Sequence, residues 1–161
     1  MAFKPTTYPE EKSLMYRLLK TQLIGLVDGV SHLTANLANA SALLNSALKD
    51  INWVGFYLLE EDTVILGPFQ GNPACVEIKA GSGVCGTAVA EDEVQLVKNV
   101  HEFPGHIACD SASNSEIVLP IHQNGKVIGV LDIDSPILER FDEEDQKGLT
   151  EIVKIIGAIG K

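Results

Sequence analysis

Cys109 sits in the segment HEFPGHIACDSASNSE, residues 101–116, among two histidines, three acidic residues and three serines. Such side chains make poor core, and little in the segment could form a packed strand or helix. It reads as an ordered loop carrying a thiol. A thiol reacts through its thiolate, and at an ordinary pKa of about 8.5 only a few per cent is ionised at neutral pH. His106, three residues before Cys109, could favour ionisation by its positive charge, and the neighbouring Asp110 would oppose it. Two further thiols, Cys75 and Cys85, lie upstream in a glycine-rich region. Three is an odd number, which favours redox or nucleophilic chemistry over a fully paired structural framework. A small buried apolar cysteine is the plain alternative, and the polar company of Cys109 weighs against it most.

A second group is acidic. Asp132 and Asp134, in LDIDS, share one face of a strand because side chains two positions apart do so. Glu116 meets them if the preceding strand pairs back as its turn implies. Three carboxylates on one face repel one another, so the cluster either holds a cation or raises one member's pKa until it keeps a proton and serves as a hydrogen-bond donor or general acid. A solvated sheet edge is the competing reading; Val130, Leu131 and Ile133 make this an otherwise buried strand. Cys75, Cys85, His101, His106 and Cys109 are potential zinc ligands, but no CxxC or HxxxH spacing joins them, and no metal is expected. GSGVCG, residues 81–86, lacks the GK[ST] ending of a phosphate loop. Its glycines suit a tight helix entry whose amide-rich N-terminus is open to an anion such as a ligand carboxylate.

These residues need a scaffold, and the hydrophobic pattern supplies one. Leu14, Leu18, Leu19, Leu23 and Leu26 predict a helix over 9–26, and Leu33, Leu37, Ala40, Leu44 and Leu48 a second over 31–49 with Ser31 as cap. NWVGFYLLEEDTVILGPF predicts a hairpin, 53–59 and 63–67, turning at Glu61-Asp62. A short strand is expected over 75–78, a small-residue helix from Gly81 to about Ala90, and a brief strand over 95–97. SEIVLPIHQNGKVIGVLDIDS gives the clearest hairpin, 115–122 and 127–134, joined at Asn124-Gly125. A helix over 141–159 begins with Asp142, Glu143 and Glu144 and packs through Leu149, Ile152, Val153 and Ile156. The order implies an α+β fold: a mainly antiparallel central sheet with N-terminal and C-terminal helices on one face. The 161 residues suffice for one domain over 1–161, divided into helices (1–50), sheet and site loops (51–140) and a closing helix (141–161).

The formal net charge is −10, from 12 basic and 22 acidic residues, with no basic cluster. Nucleic acid and anionic membranes are therefore poor partners. With no apolar run of bilayer-spanning length and no leader-like start, a cytoplasmic location is expected, where a disulfide would be transient and catalytic or absent.

Together, NWVGFYLL, GPFQGNPACVEI, GSGVCGTAVA, HEFPGHIACDSASNSEIVLPI and GKVIGVLDIDS resemble the free methionine-(R)-sulfoxide reductases, a family built on the GAF fold. The similarity runs from about Asn52 through the last helix. The resemblance implies that the substrate is free L-methionine-(R)-sulfoxide. It implies that Cys109 is the catalytic cysteine, Cys75 the principal resolving cysteine and Cys85 a third able to join the relay; either of the last two could condense with a Cys109 sulfenic acid. Glu116, Asp132 and Asp134 match the family's substrate-binding acids, and Trp53 and Tyr57 its aromatic wall. It also implies no bound cofactor, thioredoxin as external reductant, and a homodimer seam between N-terminal and C-terminal helices. Two rival readings are a non-catalytic GAF module that senses a small molecule, and a zinc-stabilised structural domain.

Overall fold

The computed structural model describes residues 3–4, 6–106 and 109–159; the ends of the expected 1–161 domain lie outside them. Six strands form one antiparallel sheet: β1 (Trp53–Glu60), β2 (Thr63–Gly71), β3 (Glu77–Lys79), β4 (Gln95–Val97), β5 (Ser115–Gln123) and β6 (Lys126–Ser135). Their spatial order is β3-β2-β1-β6-β5-β4. The β5–β6 hairpin turns at Asn124 and Gly125 with φ of 53° and 76°, the left-handed pair that a two-residue hairpin turn demands. In β2 one extra residue opposes the stretch between Gly55 and Tyr57 of β1. Pro68, which has no N–H to donate, falls in this bulge.

Alternation along the strands divides the interior in two. Val54 and Phe56, Ile117, Leu119 and Ile121, and Leu131 and Ile133 face a helical layer made of α1 (Lys12–Val27), α2 (Leu33–Ala47) and α4, which spans Glu143–Gly157. Trp53, Tyr57, Val118 and Val130 face the other way, against α3, Gly83–Glu91. The expected α+β layering is present, with α3 as the single α-helix on the site face among the described residues.

Local departures have local causes. α2 starts two residues later than expected, with His32 and not Ser31 at the N-cap position and no side-chain cap there; instead the Asn36 side chain donates to the Val30 carbonyl at 2.9 Å. β3 begins at Glu77, so Cys75 lies in the connection before it.

A buried acid that periodicity did not single out joins α1 to α4. Asp145 is fully buried. It accepts hydrogen bonds from Tyr16 at 2.6 Å, Lys12 at 2.6 Å and the Asp142 N–H at 3.0 Å, with Arg140 at 3.4 Å. The Asp142 carboxylate in turn accepts from the Asp145 N–H, closing a capping box at the start of α4. Gly148 allows this approach, because a Cβ there would overlap the Tyr16 ring. Removing the acid leaves a partly buried ammonium and a guanidinium without their shared partner. Asp145→Ala is expected to cost about 3 kcal/mol in denaturant unfolding, with the substrate cleft unaffected once the protein is folded.

Candidate active site

Strand register builds the floor of a cleft on the α3 side. Trp53 pairs with Asp134, and Asp134 with Glu116, so an aromatic and two carboxylates form one row across β1, β6 and β5. In the next row Gly55 pairs with Asp132. Glu116 does meet the two aspartates, but not in the register its turn implies: a one-residue shift between Ile121 and His122 turns Glu116 onto their face. Trp53, Tyr57, Cys85, Cys109, Glu116, Asp132 and Asp134 line one cleft, which encloses about 500 Å³, part of it open to solvent.

All three carboxylates are driven toward their neutral forms. Burial raises Glu116 well above the usual carboxylate range, and the charges of Asp132 and Asp134 raise it further. Asp134 rises for the same reasons, burial first and then Asp132. Asp132 is also raised by burial, but hydrogen bonds from Glu116, Cys85 and Asp134 work in the opposite direction. Asp132 is thus the member best supported as an anion, and Glu116 is suited to hold a proton. The Cys85 thiol lies 3.3 Å from Asp132 Oδ2 and donates to it. Burial and the Asp132 charge hold that thiol far above its ordinary pKa, so Cys85 is a proton donor to the cluster and a poor nucleophile. Asp132 Oδ1 and Asp134 Oδ1 are buried without a hydrogen-bond partner among the described residues. Buried acceptors of this kind call for a donor from a ligand.

Cys75 and Cys109 form a disulfide, with Cα atoms 5.5 Å apart. In this state the two backbones stand at bonding distance. The aromatic wall also grips the segment carrying Cys75. Tyr57 donates to the Cys75 carbonyl at 2.9 Å, and Trp53 Nε1 to the Asn72 carbonyl at 3.1 Å. On the other side, Asn52 Nδ2 donates to Asp110 Oδ2 and Ser113 Oγ, each at 3.1 Å, fastening the Cys109 loop to the start of β1. Asp110 Oδ1 accepts from the Ala112 N–H at 2.9 Å and closes the turn.

His106 lines the cleft, but burial and then the neighbouring His101 lower its pKa. Both influences disfavour the positive charge that His106 could lend Cys109. The five potential zinc ligands do not act as a set: the disulfide takes Cys75 and Cys109, and His101 pairs with the Asn114 side chain at 2.9 Å. Gly83, Val84 and Cys85, the first turn of α3, border the cleft. Ser82 makes no side-chain cap there, which leaves the first amides of the helix open to an anion.

The family model for the GAF domain matches residues 39–159. A free methionine-R-sulfoxide reductase of Escherichia coli (strain K12) is 56% identical over 142 residues, 88% of this chain and 86% of that protein. One from Saccharomyces cerevisiae is 51% identical over 140 residues, 82% of this chain and 78% of the relative. The chain belongs to the free methionine-R-sulfoxide reductase family. The solved structure of the Neisseria meningitidis free methionine-R-sulfoxide reductase, in complex with its substrate, superimposes on this reductase with a TM-score of 0.93 at 41% identity, covering 99% of this chain and 96% of that one.

Several cleft residues of this reductase have no sequence signature. Asn52, Asp110 and Ser113 are polar loop residues whose contacts arise only when two loops meet. Asp110 had been noted only as a neighbour of Cys109. Gly55 is another. A Cβ at this position would overlap Phe69 and come within 2.9 Å of Trp53 Cη2. Trp53 lies over the glycine and stacks on Phe69, centroids 5.1 Å apart, and on Tyr57 at 5.9 Å. Gly55→Ala is expected to tilt the indole, at about 1–3 kcal/mol of overpacking, and to raise KM more than it lowers kcat. Trp53 is the sole tryptophan, so a shifted emission spectrum with unchanged KM would overturn its place in the wall.

Proposed function

We propose that this chain reduces free L-methionine-(R)-sulfoxide to methionine, with Cys109 as nucleophile and Cys75 as resolving cysteine. The observation that carries the reading is a disulfide between Cys75 and Cys109 beside a cleft floored by three buried carboxylates, two of which keep unpartnered oxygens. Asp132 and Asp134 receive the substrate ammonium, the first amides of α3 its carboxylate, and Trp53 and Tyr57 its side chain. Glu116, kept neutral, donates a hydrogen bond or proton to the sulfoxide oxygen, which makes the sulfur attackable. The Cys109 thiolate attacks that sulfur; methionine leaves and the oxygen stays on Cys109 as a sulfenic acid. The Cys75 thiol then displaces water from it, and the disulfide returns to two thiols by exchange with a dithiol. No bound cofactor is needed, because thiols supply both electrons.

Cys85 sits beneath the acids as a donor to Asp132, which favours Cys75 for the resolving step. Thioredoxin, in a reducing cytoplasm, is the dithiol reductant in this reading. The half-buried disulfide, with Val76 63% exposed beside it, supports docking of a protein dithiol. Among the described residues no helix is long and apolar enough to cross a membrane. We assign the protein to a homodimer formed through its N-terminal and C-terminal helices; the exposed Leu14 and Ile24 of α1 favour it, and sedimentation of a Leu14→Glu, Ile24→Glu variant as the same dimer would remove that support.

Requiring both an ammonium and a carboxylate excludes methionine inside a peptide chain. The test is turnover of separated free R and S epimers, and of an R-sulfoxide capped at both ends, with a thioredoxin system. Only the free R epimer is expected to react. Comparable turnover of the S or capped compound would sink the reading; binding without turnover would favour a sensor module. Cys75→Ser is expected to release about one methionine per active site and then stall with a sulfenic acid on Cys109, seen as a dimedone adduct by mass spectrometry. Loss of that first turnover would mean that Cys75 acts before the resolving step.

A further inference from the structure

The cleft floor offers more, and softer, donor capacity than an ammonium uses. Cys85 Sγ, a Glu116 oxygen and an Asp132 oxygen lie within 4.8 Å of one another, and all three residues are buried. The thiol and Asp132 Oδ2 are 3.3 Å apart. Asp132, only 6% exposed, lines the cleft and keeps an Oδ1 that no described residue pairs, and Asp134 Oδ1 is likewise without a partner among them. Tetrahedral zinc, with Zn–S near 2.3 Å and Zn–O of about 2.0–2.2 Å, sets its donors roughly 3.4–3.7 Å apart. One pair here already stands close to that spacing, and small side-chain rotations bring in the third donor.

We propose that, without substrate, this floor binds one borderline-soft divalent cation, Zn²⁺ or Cd²⁺, through Cys85, Glu116 and Asp132 with Asp134 nearby, and that cation and substrate exclude each other. The thiolate selects zinc and cadmium over magnesium, which prefers all-oxygen octahedral sites. Binding moves the protons of Cys85 and Glu116 to solvent and changes no oxidation state. The cation is an inhibitor of the chemistry, not a participant in it. Mutual exclusion rests on the proposed placement of the substrate ammonium on the same acids; cation binding itself does not.

The disulfide-bonded protein supplies a clean test, because Cys85 is then its one free thiol. Titration with Cd²⁺ should produce an ultraviolet thiolate-to-cadmium band that saturates at one ion per chain. It should be lost in Cys85→Ser and in Asp132→Asn, and remain unchanged by excess Mg²⁺. No band in the wild-type protein, or a band that persists in folded Asp132→Asn, would overturn the site. For exclusion, pre-reduced and desalted enzyme is followed through a single turnover. Zn²⁺ should slow methionine formation, and more free methionine-(R)-sulfoxide should restore it. Inhibition that substrate does not relieve overturns mutual exclusion. Absence of methionine formation in metal-free buffer defeats the reductase reading instead, so the two failures are distinct.

Discussion

Cys109→Ser is expected to lose methionine formation even in the first turnover, by roughly a thousandfold or more, while still binding substrate. The size of the effect follows from what the residue must accept. Reduction leaves the substrate oxygen on the attacking atom: on sulfur this gives a sulfenic acid, a stable rung of the thiol oxidation ladder, whereas on a serine oxygen it would give a high-energy peroxide. A serine hydroxyl is also far less ionised than a thiol at neutral pH. In the proposed binding mode the substrate's charged groups are held by Asp132, Asp134 and α3, none of which the substitution touches. Quenching of Trp53 fluorescence by substrate should therefore persist in the variant with an affinity within about threefold of the wild type. A retained burst of methionine would remove Cys109 from its role. Cys75→Ser provides the contrast, since it should keep the burst and lose recycling.

Glu116→Gln is expected to lower kcat by about 10²–10⁴, and at the same time to stabilise the fold at neutral pH. The two effects share one cause. Burial first, and then the charges of Asp132 and Asp134, raise the Glu116 pKa in the folded protein above its unfolded value. The folded state therefore binds that proton more tightly than the unfolded state does. Stability from this group is fully present below the unfolded pKa, about 4.3, and is lost as pH rises through the folded pKa. Glutamine keeps the size and shape of the neutral carboxyl group and removes the titration. Thermal melts at pH 7 should show the variant several degrees above the wild type, at roughly 2–4 °C per kcal/mol for a chain of this size. At pH 4 the gap should close. A variant less stable than the wild type at pH 7 would mean that Glu116 is ionised and stabilising in the substrate-free cleft, and that the proton donor lies elsewhere.

Much of this site was legible in the sequence because strand periodicity is a strict geometric rule. Asp132 and Asp134 had to share a face, but Glu116 comes opposite Asp134 only because the ladder shifts by one residue between Ile121 and His122; the register of the Asn124-Gly125 turn alone would set Glu116 opposite Ile133, on the other face. The α+β layering followed from the same alternation together with the helical spacing of leucines. What stayed hidden depends on encounters between segments far apart in the chain. Asn52 reaches Asp110 and Ser113 across 58 and 61 positions, and Asp145 collects Lys12, Tyr16 and Arg140 at a helix junction. The balance between His106 and Asp110 beside Cys109 was hidden for a related reason: the sequence shows a histidine near a cysteine, but not the burial that lowers its pKa. Residue type and the family resemblance group Cys85 with the redox thiols, and neither shows what lies beside it. Its place under Asp132 is a property of α3 packing against β6.

The wall residues Trp53 and Tyr57 have a consequence for how such an enzyme can change over time. Their rings border the space a substrate would fill, while their polar atoms hold Asn72 and Cys75 in the neighbouring segment. A mutation that reshapes the pocket for a larger or smaller sulfoxide would therefore also disturb the partner thiol on which regeneration depends. Substrate range and turnover number are bound together by two side chains, so drift in one is corrected only by compensating changes in the other. Variants selected for new substrates should carry second-site changes between Asn72 and Val76, even though that stretch need not touch the substrate.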